Sequence, residues 1–156
     1  MRNKTLEREI CTNKKAYHDY FIEQKIEAGI KLTGTEIKSI REHKCNINDA
    51  YAIIKNNKPY ILNMHIAKYD YGTHYNHDET RTRELLLHEN EIIRLFNRVR
   101  MDGETLVPLR VYLKEGLCKI EIGVCKGKNA RDKREDIKKE DAKRAIRKAL
   151  KDRNNY

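Results

Sequence analysis

Val107, Leu109, Val111 and Leu113 recur at every second position, Glu115-Gly116 turns the chain, and Cys118, Ile120, Ile122 and Val124 resume the same period. Successive side chains of a strand point to opposite faces, so each run presents one apolar face and calls for an antiparallel partner. A chain built around this pair is committed to a sheet. Other short runs carry strand character. Ala16–Lys25 holds Tyr17, Tyr20, Phe21 and Ile22, and Lys31–Arg41 reads as a second extended stretch broken near Gly34. Between them, Glu27-Ala28-Gly29-Ile30 reads as an interruption, with Gly29 permitting a turn or bulge. Tyr51–Lys55 and Pro59–Ile66 read as strands joined through Asn56-Asn57-Lys58. One helix is clear: Ile92, Leu95, Phe96 and Val99 form a stripe expected to face the core, and Met101-Asp102-Gly103 stops it. About six short antiparallel strands predict a mainly β fold, a small barrel or sandwich. An OB-like barrel is the natural candidate, because it closes its edges and carries nucleic acid on one face.

Charge divides the chain. Its 156 residues carry a net +10. Residues 1–15 hold a net +3, residues 16–125 are neutral, and residues 126–156 hold thirteen basic and six acidic groups for +7. Only 8 of the last 31 residues are apolar, too few to offset the entropy of ordering them alone. The expectation is a barrel over 1–125, opened by a basic arm at 1–15, and a basic tail over 126–156 that is disordered alone. Ala142, Ala145, Ile146 and Ala149 give the tail a weak helical stripe, expected to form against phosphate. Basic extensions of this kind usually meet polyanions, and nucleic acid is the expected partner.

Other classes are disfavoured. No apolar run approaches the roughly 20 residues of a membrane span, and MRNKTLEREI lacks the apolar core of a signal peptide, so a cytoplasmic protein is expected. Cys11, Cys45, Cys118 and Cys125 show no CxxC spacing, so neither a zinc site nor disulfides are expected, and Cys118 and Cys125 read as buried thiols. Residues 67–83 form a long irregular segment whose tyrosines, histidines and arginines suit RNA. Within it His74 and His77 stand three apart without a further ligand, and no metal site is read. No Gly-rich phosphate loop, HExxH or GxSxG appears, and no catalytic residue is assigned.

The ordered stretches resemble one known family. Asn13-Lys14-Lys15-Ala16-Tyr17-His18-Asp19-Tyr20 leads into Phe21-Ile22-Glu23, then Glu27-Ala28-Gly29-Ile30 and Gly34-Thr35-Glu36-Ile37-Lys38-Ser39-Ile40-Arg41. With Asn76-His77-Asp78, Arg81-Thr82-Arg83-Glu84-Leu85-Leu86-Leu87, Gly123-Val124-Cys125-Lys126-Gly127-Lys128 and Asp132-Lys133-Arg134, the set resembles the SmpB family of SsrA-binding proteins from about residue 10 to 151. The resemblance implies an OB-like barrel with accessory helices that binds the tRNA-like domain of transfer-messenger RNA. It implies entry with that RNA into bacterial ribosomes stalled on messages lacking a stop codon, for rescue and peptide tagging. It also implies contact with elongation factor Tu through the aminoacylated RNA, no cofactor and no catalysis.

By the same resemblance, RNA-binding positions fall on Asn13, His18, Glu27 and Leu86, with Lys14 and Lys15 adding phosphate contacts. Glu27 is the unexpected member, since a carboxylate must accept hydrogen bonds from bases, ribose hydroxyls or a positioning cation. In the tail, Gly127, Lys128, Arg131, Asp132, Lys133 and Arg134 match the segment that enters the decoding centre and empty messenger channel. Arg131 stands where many members carry His, Glu79 where Pro is common, Glu84 where a basic residue is common, and Ala142 where an aromatic sometimes occurs. The runner-up is another OB-type RNA-binding or ribosome-associated translation factor. A small nuclease using His18, His43 or His65 comes third.

Overall fold

The computed structural model describes residues 7–71, 76–128 and 130–154, the side chains of 130–132 and 152–154 excepted. Strand β1 (Glu7–Thr12) leads into helix α1 (Lys14–Asp19) and strand β2 (Tyr20–Ile30), and helix α2 (Gly34–Arg41) follows. Next come β3 (Cys45–Asn46), β4 (Tyr51–Lys55), β5 (Lys58–Leu62), β6 (His65–Ile66) and β7 (Arg83–Leu86). Helix α3 (Glu89–Asp102), strands β8 (Thr105–Lys114) and β9 (Leu117–Gly127), and helix α4 (Ala130–Asn154) complete the chain.

The long hairpin organises the barrel. β8 pairs with β9 along its length, β9 with β2, β2 with β7, β7 with β5, β5 with β4, and β4 returns to β8 at Ala52 and Leu106. Those six antiparallel strands close a ring. β1 adds to the far half of β8, from Glu7 opposite Lys114 to Thr12 opposite Arg110. The expected OB-like barrel is therefore present, with β3 and β6 paired separately beside it. Inside lie Ile26, Ala28, Ile30, Ile61, Leu85, Leu106, Val111, Ile120, Ile122 and Val124, sealed by Ile40 of α2 and Leu95 of α3.

The two-residue period of β8 breaks once. A register shift lies between Pro108 and Arg110. Val111 and Leu113 accordingly face the main core, whereas Val107 and Leu109 join Ala16 and Cys125 in a second, smaller core beneath α1. A bulge re-aims one strand to serve both cores. Gly123 makes room for it, because a Cβ there would meet Leu109 Cδ1 at 2.8 Å.

Several local readings change. Lys14–Asp19 is helical because the Asn13 side chain caps it, accepting from the Ala16 N–H. Gly34–Arg41 is helical because Thr33 and Glu36 form a reciprocal capping box. β2 runs unbroken through Gly29, and its bulge falls between Ile22 and Gln24. The strand read over Pro59–Ile66 splits at Asn63, which has φ of 59°. On α3 only Leu95 of the predicted stripe is fully buried; Phe96 and Val99 are each 39% exposed. The hairpin turns match their sequences, with Asn56 and Asn57 left-handed in one and Glu115 and Gly116 in the other.

Candidate nucleic-acid interface

The geometry of α1 starts at Asn13. Its side chain is buried and fully used, accepting from Ala16 N–H at 3.0 Å and donating to Ile47 O at 3.2 Å and Pro108 O at 2.9 Å. Asn13 therefore roots α1 on the barrel and offers no free group outward. Beyond it Lys14, Lys15, Tyr17 and His18 are exposed. Lys15 Nζ lies 3.5 Å from Asp49, and His18 Nδ1 lies 2.9 Å from Asp19. Asp19 also meets Lys133 Nζ at 3.1 Å. Hydrogen bonds from His18 and then Lys133 hold the Asp19 carboxyl below its usual pKa.

β2 carries the next positions outward. Lys25 and Glu27 are exposed at alternate residues and form a row on the outer face. Phe21 and Glu23 are exposed too, but the bulge between Ile22 and Gln24 separates them from that row. Phe21 pairs with Lys126, opposite in facing to Gly123, the partner of Lys25. Gly29 would be next in the row, and Leu86 of β7 fills its place. The two residues are paired across the strands, and a Gly29 Cβ would stand 3.1 Å from Leu86 Cβ. Leu86 is thus not core; it lies 49% exposed at the end of the row. Glu27 Oε1 accepts from the buried Tyr112 hydroxyl at 2.5 Å and lies 3.6 Å from Lys114 Nζ. The Tyr112 bond, offset in part by burial and helped by Lys114, lowers the Glu27 pKa. Burial first, then the bond to Glu27, raises that of Tyr112.

The candidates therefore do not converge on a pocket. They lie along a line from α1 over β2 to β7, with His18 on α1 at one end and Glu27 with Leu86 of β7 toward the other. At roughly 3.3 Å per residue, Tyr20 to Glu27 spans about 23 Å. Such a ridge suits an extended polyanion more than a small molecule. Cations meet rings at its start: Lys25 Nζ stands 5.6 Å from the Tyr17 ring centroid, and across the bulge Lys128 Nζ stands 5.0 Å from that of Phe21. Tyr17, Phe21 and Lys25 were not singled out in the sequence as contact residues. Tyr17 lies on α1, and the β2 bulge puts Phe21 and Lys25 out of phase, so no simple period in the sequence marks the three together.

The long segment is tied down from within. Arg83 is fully buried and donates to Glu36, to Met64 O and Arg81 O, and to Asp78 O and Glu79 O. Glu36, also fully buried, accepts further from Arg81 at 2.7 Å and Thr33 N–H at 2.8 Å. Burial alone would raise the Glu36 pKa, but the bonds from Arg81, Thr33 and Arg83 outweigh it and lower it. His77 is buried, its Nε2 2.8 Å from Ile66 O and its Nδ1 2.9 Å from Thr35 Oγ1, so it offers no stacking face. His74 lies outside the described residues. Glu79 meets His65 at 2.8 Å, and Glu84 meets Lys31 at 2.9 Å.

At the far end, Gly127 still belongs to β9, opposite Tyr20, and the Lys128 N–H donates to Asp19 O at 2.9 Å. Lys128 Nζ pairs with Asp136 of α4. With Lys133 on Asp19, these contacts set the first turns of α4 against α1. Arg134 is exposed; Arg131 and Asp132 lie on α4, their side chains outside the described residues. Ile146 and Leu150 farther along are more than half exposed. Among the described residues no helix is long and apolar enough to cross a membrane.

A family model described as SmpB protein matches residues 10–152. The chain belongs to the SmpB family. Its curated SmpB-like relatives include an SsrA-binding protein of Geotalea uraniireducens (strain Rf4), 55% identical over 95% of this chain and 98% of the relative. Another SsrA-binding protein, from Bacillus pumilus (strain SAFR-032), is 52% identical over 92% of each chain. Among solved structures, a chain of "tmRNA-SmpB: a journey to the center of the bacterial ribosome" is 42% identical, with a TM-score of 0.65 over 77% of this chain and 85% of that one. The SmpB-family fold is thus shared in sequence and shape over most of the chain.

Proposed function

We propose that this chain binds transfer-messenger RNA through its tRNA-like domain and delivers it to stalled bacterial ribosomes for trans-translation. The observation that carries the reading is the relatives' name, SsrA-binding protein, held by chains more than half identical over nearly the whole length. The outer row on β2 and the exposed face of α1 supply a fitting surface. Lys14, Lys15 and Lys25 take phosphates; His18, Tyr17 and Phe21 offer stacking faces. Glu27, fixed by Tyr112, accepts from an RNA donor, and Leu86 packs against sugar or base. Asn13 acts by holding α1 in place. The protein works as a binding partner without catalysis, in the cytoplasm where ribosomes stall, and it meets elongation factor Tu through the charged RNA.

In this reading the tail, with Gly127, Lys128, Arg131, Asp132, Lys133 and Arg134, occupies the decoding centre and empty messenger channel. Basic side chains along α4 neutralise phosphates there. The division into a barrel over 1–125 and a tail over 126–156, disordered alone and helical on the ribosome, belongs to the same proposal. The test is binding of the full chain to a tRNA-like domain with ordinary tRNA as competitor, across salt concentrations. A preference that persists at physiological salt supports the reading. A preference that disappears with salt leaves a generic basic RNA binder and overturns it.

A further inference from the structure

Two of the four free cysteines face each other. Cys11 at the end of β1 and Cys45 in β3 place their Sγ atoms 3.1 Å apart, although they are 34 positions apart in the chain. Both are half-buried against the main core, where Cys118 packs as well. The neighbouring pair on the same two segments is already tied: Asn13 donates to Ile47 O, two residues beyond each cysteine. On the other side His43 Nδ1 lies 3.3 Å from Ile10 O, so contacts tie the two segments on both flanks of the gap. A disulfide needs its sulfurs at roughly 2.05 Å, so closure asks for a movement of about 1 Å.

We propose that Cys11 and Cys45 form a reversible thiol–disulfide pair that closes on exposure to a low-molecular-weight disulfide such as oxidised glutathione. The two thiols have divided roles. The hydrogen bond from Cys45, against the opposing effect of burial, lowers the Cys11 pKa and makes it the attacking thiolate. That shared bond, with burial, raises Cys45, which resolves. Cys11 Sγ attacks one sulfur of the small disulfide, forming a mixed disulfide and releasing one small thiolate. Cys45, giving up its proton, then attacks Cys11 Sγ and releases the second. Two electrons pass to the small disulfide, and the two cysteine protons end on the two small thiols. The product staples β1, and through it the root of α1, to β3.

The test uses the full chain, treated with oxidised glutathione and then mapped by peptide mass spectrometry. The expected result is loss of two of the four thiols, a mass lower by two hydrogens, and a Cys11–Cys45 cross-linked peptide. Melting temperature should rise by several degrees and return with a reducing dithiol. Cys118→Ser should still cross-link, whereas Cys11→Ser should leave Cys45 as a free thiol. Four thiols persisting in excess oxidant, pairing through Cys118, or stable glutathione adducts on the separate cysteines would each overturn the proposal. The wild-type map needs no variant to fold, and the result is independent of RNA binding.

Discussion

The Tyr112 hydroxyl donates to Glu27 Oε1 over 2.5 Å, so the acidic residue of the outer row is anchored by a buried phenol from the barrel wall. Arg110 lies over that phenol ring at 4.2 Å and is itself held by Glu7 and Glu121. A carboxylate on the surface proposed for RNA is thereby fixed in direction and kept charged. Its cost in repulsion from phosphate is offset if it accepts a specific donor.

Glu27→Ala should weaken binding to the tRNA-like domain about tenfold, the size of one charge-assisted hydrogen bond, despite raising the net charge. Tyr112→Phe should lose less, because the carboxylate stays but is no longer aimed. Competition binding at physiological salt measures both. Affinity that rises for Glu27→Ala, and stays raised at high salt, would remove Glu27 from the interface.

Asn13→Ala and His18→Ala should separate by their effects on stability. Asn13→Ala loses a cap and two donated bonds, costing roughly 1–3 kcal/mol, with RNA affinity falling alongside. His18 is exposed, so His18→Ala should lower affinity with the melting temperature nearly unchanged. Thermal melts beside binding curves decide it.

Arg83→Ala should be among the most damaging single changes. It leaves Glu36 buried with Arg81 as its remaining cation and removes a donor from four backbone carbonyls, of which Asp78 O and Glu79 O keep N–H partners, a loss of roughly 3–5 kcal/mol. Urea unfolding measures it. A loss below about 1 kcal/mol would show that the buried network is dispensable.

Acid sensitivity should trace partly to Glu36. Its folded pKa lies below the ordinary value of 4.5, so its contribution is complete above that value and is lost as pH falls through the folded one. Stability should hold from neutral pH down to about 5 and then decline. Glu36→Gln, weaker at neutral pH, should show a shallower acid limb in urea titrations. An unchanged limb would assign the acid loss to other carboxylates.

Deleting residues 130–156 should leave a folded barrel that retains most of its specific RNA affinity, while abolishing peptide tagging on stalled ribosomes. Keeping Gly127 and Lys128 matters, because Gly127 pairs with Tyr20 and the Lys128 N–H bonds to Asp19. Loss of the fold in this truncation would contradict the division between body and tail.

The barrel was legible because β8 and β9 alternate so plainly and both hairpin turns carry residues suited to left-handed backbone. What escaped were features decided by capping and bulging. Thr33 and Glu36 carry the capping-box pattern, yet Thr35, Ile37 and Ile40 around them favour strands. The bulge at Leu109 cannot be seen in a run of alternating aliphatics, so the second core beneath α1 was invisible. The resemblance supplied His18, Glu27 and Leu86 as candidates, but Leu86 as an outward residue depends on the pairing with Gly29. Phe21 and Lys25 also escape a period-two reading, because the bulge between Ile22 and Gln24 lies between them.

The closing of the ring by β9 sets an order of events during synthesis. β2 is made early and its main partner is made about a hundred residues later, so Ile26, Ala28 and Ile30 wait uncovered until residues 117–127 leave the exit tunnel. A nascent chain cut short before that point has no barrel at all, and its unpaired β2 is an open strand edge. Such a fragment should be prone to aggregation and proteolysis.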